Sequence, residues 1–218
     1  MKKKCYDFRP DVLNVVLTAI FSVFTAVLMF FSINYEEGYI VASSVSKRGF
    51  LFTPAGCLIV LCCITILVLA IQSLRNQTLF PYILVPVSVA GILFALRSVL
   101  IQGDISLFLE LSGTHLFIAL IRSLLGILVI ILLLLLVTNV ILDKRYLMLA
   151  LVVSIGWYFG TEGFMFYEEW NGHYFIYDRS QTAVLFSQIS YYFSVMFFTF
   201  NIKPVTQGNG YITNRSGE

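Results

Sequence analysis

Ile130-Ile131-Leu132-Leu133-Leu134-Leu135-Leu136-Val137 is an unbroken run of branched aliphatic residues with no polar side to turn toward water. A helix that is apolar around its whole circumference loses nothing by facing hydrocarbon, and its backbone groups satisfy one another within the segment. Extended outward to 123–142, the stretch reaches the length of about 20 residues that a bilayer core of about 30 Å requires. The run therefore reads as a transmembrane helix.

Five more stretches of that length follow from the same reading, at about 12–33, 51–74, 80–101, 146–166 and 182–202. Pro54 falls in an early turn of the second, where its missing N–H costs little. Pro81 and Pro86 fall in the opening turns of the third. The composition agrees: 59% of the 218 residues are hydrophobic and 12% are charged, against about 45–50% and about 25% in soluble domains. No soluble fold of this size can bury that much apolar surface. The expected fold is all-α, a polytopic integral membrane helical bundle of about six transmembrane helices forming one domain over 1–202, with 203–218 as a mobile cytoplasmic tail.

The segment 102–121, between the third and fourth spans, is too polar for a span and too apolar for a free loop. It is expected to form a short interfacial helix, with Ile105, Leu107, Phe108 and Leu111 toward lipid and Asp104 and Glu110 toward water. Lys2, Lys3 and Lys4 before an apolar stretch resemble a secretory signal. The run 12–33 is about twice the length of a signal core, however, and Asn34-Tyr35-Glu36-Glu37 offers no cleavage pattern, so an uncleaved first span is expected.

Charge orients the bundle. With the N-terminus inside, the cytoplasmic segments hold Lys2, Lys3, Lys4, Arg9, Arg75, Lys144, Arg145, Lys203 and Arg215, nine of the fourteen basic residues. Eight of the twelve acidic residues fall on the other side. By the positive-inside rule this places a multi-pass protein in the cell membrane with both termini cytoplasmic. The Asn-x-Ser/Thr patterns at Asn76 and Asn214 are then cytoplasmic and argue little for glycosylation. Cys57, Cys62 and Cys63 lie inside a span and Cys5 in the basic leading segment, with no disulfide framework or metal-binding spacing.

The stretch from Gly156 to Tyr174 concentrates the candidate chemistry. Trp157, Tyr158 and Glu162 place aromatic rings and a carboxylate together, a combination that hosts a cation or an amine. Glu162 lies about one turn inside the apparent outer boundary, where ionisable groups face protein or water rather than lipid. Gly156, Gly160 and Gly163 allow close helix approach or local unwinding. On the sixth span Ser187 and Tyr191 recur at helical spacing with Ser194, beside Gln188 and Tyr192. That polar face either lines a water-filled cavity or hydrogen-bonds to neighbouring helices. Interfacial anchoring, which gathers Trp and Tyr at the membrane surface whatever the function, is the plainer reading of these rings. Arg97 and Arg122 border spans near the outer side, where snorkelling is the default and a salt bridge to Glu110 or Glu162 the sharper reading.

Thr18, Ser22 and Ala26 lie four apart on the first span and form a small-residue stripe on which another membrane subunit can pack; Gly91 and Ala95 repeat the device on the third. By size and span count the chain is similar to the substrate-binding membrane subunits of energy-coupling-factor transporters. The stripe resembles the alanine-rich one of those subunits, although Thr18 and Ser22 depart from alanine. The resemblance implies a solute-binding membrane subunit acting with a partner.

Catalytic signatures are mostly missing. His115 and His173 belong to no HExxH helix, and no nucleophile and base pair stands out. Glu168-Glu169 with His173 has ligand types for a metal, but a loop is predicted there, so no metal and no cofactor are expected. Nucleic acid is not an expected partner for so apolar a surface, and the lipid bilayer is the expected one. Two functions remain open: a binding or transport subunit for a small cationic or amine-bearing solute, with Trp157, Tyr158, Glu162, Ser187, Gln188 and Tyr191 as the pocket, and a non-enzymatic accessory or immunity-type protein that binds other membrane proteins.

Overall fold

Hydrophobic runs separated by short polar punctuation fold as consecutive antiparallel helices, because in lipid each segment must close its own backbone hydrogen bonds. The computed structural model describes residues 5–43, 49–109, 113–140, 143–170 and 179–205, with side chains over a narrower set. Among these residues the chain forms six α-helices: α1 (Val12–Ser43), α2 (Gly49–Ser73), α3 (Leu84–Leu109), α4 (Gly113–Val137), α5 (Lys144–Trp170) and α6 (Arg179–Phe200). The helices close in a ring, each against its chain neighbours and α6 against α1.

Four stretches are long and apolar enough to cross a membrane, Val12–Phe31, Pro54–Ser73, Gln77–Leu96 and Leu120–Val137, and Leu185–Phe200 is a shorter apolar helix. Between 28% and 44% of each long stretch is buried within the protein. The remainder faces outward and is made of residues such as Leu61, Ile64, Leu124 and Ile131. An outer surface this apolar is stable against hydrocarbon and not against water. The chain is an all-α, multi-pass membrane bundle.

Among the described residues the expected interfacial helix does not form as a separate element. α3 continues to Leu109 and α4 opens at Gly113, so 102–109 and 113–121 become extensions of the two spans. Extending a helix adds one hydrogen bond per residue without a new nucleation step, which favours this solution over starting a third helix. The third span is entered through a 3-10 turn, Gln77–Ile83, capped by Asn76, whose side chain accepts from the Thr78 N–H.

α4 also stops at Val137, short of the expected 142. Asn139 adopts φ 57°, while the Asn139 N–H donates to the Leu136 carbonyl and the Val140 N–H to Leu135. This is a Schellman cap with asparagine in the left-handed position.

Asn139 has a second role. The segments before α1 and after α6 form a two-stranded antiparallel ribbon, β1 (Cys5–Phe8) with β2 (Ile202–Val205), in which Tyr6 faces Pro204 and Phe8 faces Ile202. Lys203, Pro204 and Val205, assigned to a tail by sequence, therefore belong to a strand; 206–218 lie outside the described residues. The Tyr6 N–H donates to Asn139 Oδ1 at 2.6 Å, the Lys144 N–H to the Tyr6 hydroxyl at 3.1 Å, and the Asp11 N–H to Asn201 Oδ1 at 2.7 Å. Phe8 packs against both rings of the stacked pair Phe80 and Phe198. The ribbon clasps both ends of the chain to the α4–α5 turn.

Changing Asn139 to alanine should cost about 2 kcal/mol, from a lost hydrogen bond of about 1 and from the loss of the short polar side chain by which asparagine tolerates the left-handed backbone. Asn139→Gly should cost only about 1 kcal/mol, since glycine adopts the same backbone freely. Denaturant unfolding of the two variants in detergent separates the terms, and equal losses would rule out a role for the backbone angle.

Candidate functional site

Among the described residues of α6, the polar side chains Ser187, Gln188, Ser190, Ser194 and Thr199 are buried. Ser194 and Ser22 share a hydrogen bond of 2.9 Å between their hydroxyls, Ser194 also donates to the Thr18 carbonyl at 3.1 Å, and Ser190 donates to the Phe21 carbonyl at 2.9 Å. Thr18 and Ser22 are thus buried in the seam between α1 and α6, so these two residues of the small-residue stripe pack within the chain.

Ser187, Gln188 and Tyr191 are all buried as well. The Tyr191 hydroxyl donates to the Val87 carbonyl at 2.6 Å, and Gln188 Nε2 reaches the Phe94 carbonyl at 3.4 Å. Both partners are backbone groups of α3. Hydrogen bonding between helices is what this face does in the structure, one of the two roles its sequence allows.

The close approach here belongs to Gly91. A Cβ at that position would stand 2.5 Å from both Ile130 Cδ1 and the Tyr191 hydroxyl. Gly156 and Gly160, by contrast, have open space where a Cβ would lie, so neither marks a tight helix contact.

A second cluster forms between α4 and α5. Arg122 is only 8% exposed, and its guanidinium carbon lies 5.0 Å from the centre of the Tyr158 ring. Its Nε donates to Thr161 Oγ1 at 3.1 Å, and Nη2 donates to the same oxygen. Thr161 can accept because its own proton is directed back along α5, toward the carbonyls of Trp157 and Tyr158. Arg122 makes further interactions besides these. The Trp157 indole nitrogen is buried with no hydrogen-bond partner among the described residues.

Snorkelling is therefore not the role of Arg122; its side chain turns into the bundle. A guanidinium removed from water costs several kcal/mol unless its donors and its charge are answered, and a phenol face answers only part of that. The signal was present in the spacing: Ile118, Arg122, Val129, Leu133 and Leu136 recur at helical intervals, and all are buried. Read along that stripe, Arg122 falls on the packed face of α4.

Of the six residues singled out by sequence, Tyr158 lies in the Arg122 cluster and Trp157 precedes it on α5, while Gln188 and Tyr191 bond to α3 and Ser187 is buried. Tyr192 links the two groups, its ring 5.6 Å from Tyr158 and 5.7 Å from Tyr191. Glu162 follows Thr161 in α5, but its side chain lies outside the described residues, as do His173 and the residues around it. Among the described residues no group of His, Cys, Asp or Glu side chains is placed to hold a metal ion. Comparison with protein-family models, with curated proteins and with solved structures finds no match to this chain.

Proposed function

We propose that this membrane protein is a binding or transport subunit for a small amine-bearing solute that also carries an acidic group. The observation that carries the reading is the buried Arg122, turned inward over Tyr158 and onto Thr161. An ionisable residue held inside a membrane bundle marks a functional site by default. Guanidinium recognises carboxylate or phosphate through paired N–H donors. The Trp157 indole N–H supplies a donor with no partner among the described residues, and Glu162, next in sequence to Thr161, supplies the carboxylate for an amine. The bundle lies in the cell membrane with the ribbon end cytoplasmic, on the strength of Arg9, Arg75, Lys144, Arg145 and Lys203 at that end.

Purified protein in mild detergent, heated with millimolar amino acids, monocarboxylates and simple amines in turn, tests this. A solute near 100-fold above its dissociation constant should raise the unfolding temperature of the wild type by about 5–10 °C. The shift should vanish in Arg122→Gln. If no solute moves the wild type, or the variant responds equally, the reading fails.

A non-enzymatic accessory or immunity-type role is the second reading. It is supported by the closure of the α6 polar face, whose hydroxyls are engaged with α1 and α3. Recovery of a stoichiometric membrane partner and no solute from mild detergent would select it.

A further inference from the structure

Beside the terminal ribbon lies an open cavity of about 600 Å³, set between Tyr6 and the first two turns of α5. Its upper edge carries Lys144 and Arg145, and its wall continues down α5 through Met148, Leu149 and Val152. Arg145, Leu149 and Val152 are spaced i, i+4, i+7, so they stand in line on one face of the helix. Leu149 and Val152 are 62% and 58% exposed, continuous with the apolar outer surface of the bundle. The charges sit where the expected span, 146–166, begins.

We infer that this cavity is a binding site for one anionic phospholipid, with the headgroup phosphate at Lys144 and Arg145 and an acyl chain along Leu149 and Val152. A basic recess at the mouth of an exposed apolar helix face has the charge and polarity order of such a lipid. A soluble anion has no use for the apolar wall. A second copy of this chain would bring the same positive charges against it.

The other charged groups nearby do not reverse the balance. Asp143 lines the cavity, but its carboxylate accepts the Arg145 N–H at 3.3 Å and so caps α5. Lys203 adds positive charge from β2, opposite Asp7. Lys144 donates to the Ile202 carbonyl at 3.0 Å and lies over the Phe200 ring at 5.4 Å. Burial and the neighbouring Lys203 push its ammonium down to about 8, which leaves it mainly protonated at neutral pH and with donors to spare for a phosphate.

Native mass spectrometry of the full chain, purified with equal amounts of phosphatidylglycerol and phosphatidylcholine of the same acyl chains, tests the site. One phosphatidylglycerol should be retained in preference to phosphatidylcholine, by about fivefold for each basic residue engaged. Arg145→Gln should lower the preference about fivefold. Leu149→Glu, which sets a carboxylate on the wall, should lower retention of both lipids. Neither substitution touches the hydrogen bonds of the ribbon, whereas Lys144→Gln would, so these two carry the test. Equal retention of the two lipids by the wild type, or an unchanged preference in Arg145→Gln, would overturn the inference. Displacement of the lipid by millimolar inorganic phosphate would overturn it in favour of a free-anion site.

Discussion

Replacing Gly91 with valine should destabilise the bundle by about 2–5 kcal/mol, combining overpacking with the loss of a buried hydrogen bond. Even the first carbon of the new side chain would stand 2.5 Å from Ile130 and from the Tyr191 hydroxyl, well inside van der Waals contact. Ile130 can change rotamer. Tyr191 cannot move freely, because its hydroxyl is held on the Val87 carbonyl at 2.6 Å and its ring packs against Phe94 at 5.2 Å. The substitution therefore forces α3 away from α6 or breaks the tyrosine bond. Gly160→Ala is the control: with open space at that position, alanine should be neutral or stabilising by up to about 1 kcal/mol through helix propensity. Unfolding by a denaturing detergent measures both. Comparable effects from the two glycines would show that α3, α4 and α6 do not meet at Gly91.

The second large effect is expected at Asn201, which is fully buried at the end of α6. Its Oδ1 accepts the Asp11 N–H at 2.7 Å, its Nδ2 donates to the Phe197 carbonyl at 2.9 Å, and its own carbonyl accepts the Arg9 N–H at 2.8 Å. One side chain thus joins the start of α1 to the end of α6. Asn201→Leu keeps the branching at Cγ but leaves the Asp11 N–H without its acceptor, at a cost of about 1–3 kcal/mol for that donor alone. The ribbon should loosen with it, so that limited proteolysis cuts between Phe8 and Asp11 in the variant and not in the wild type. A variant that unfolds like the wild type and resists cleavage would mean that the clasp does not hold the termini.

The bundle was legible in the sequence because lipid imposes a length and a polarity on each span that local composition records. The run 130–137 could be nothing else, and Gly91 and Ala95 signalled a close helix contact that Tyr191 and Ile130 complete. The ribbon was not legible. Cys5–Phe8 and Ile202–Val205 are too short to show alternation above chance, and their pairing joins residues nearly a full chain length apart, which no local pattern encodes. The direction of Arg122 was hidden for a different reason. A basic residue near a helix end normally reaches for the interface, and only its register with Val129 and Leu133 indicates that it turns inward. The polar face of α6 was visible, but hydroxyls that line water and hydroxyls that join helices are the same residues at the same spacing.

Nitroxide scanning of α4 from position 122 to 137 in a reconstituted bilayer distinguishes a lipid-embedded bundle with Arg122 on its packed face from every other arrangement. Collision with oxygen should peak at Leu124, Ile127, Leu128 and Ile131, the outward positions, and fall to minima at Arg122, Ser123, Val129 and Leu133. An oxygen maximum at Arg122 would place its charge against lipid and remove the site. Uniform access to a water-soluble nickel relaxant along the helix would contradict the membrane bundle itself.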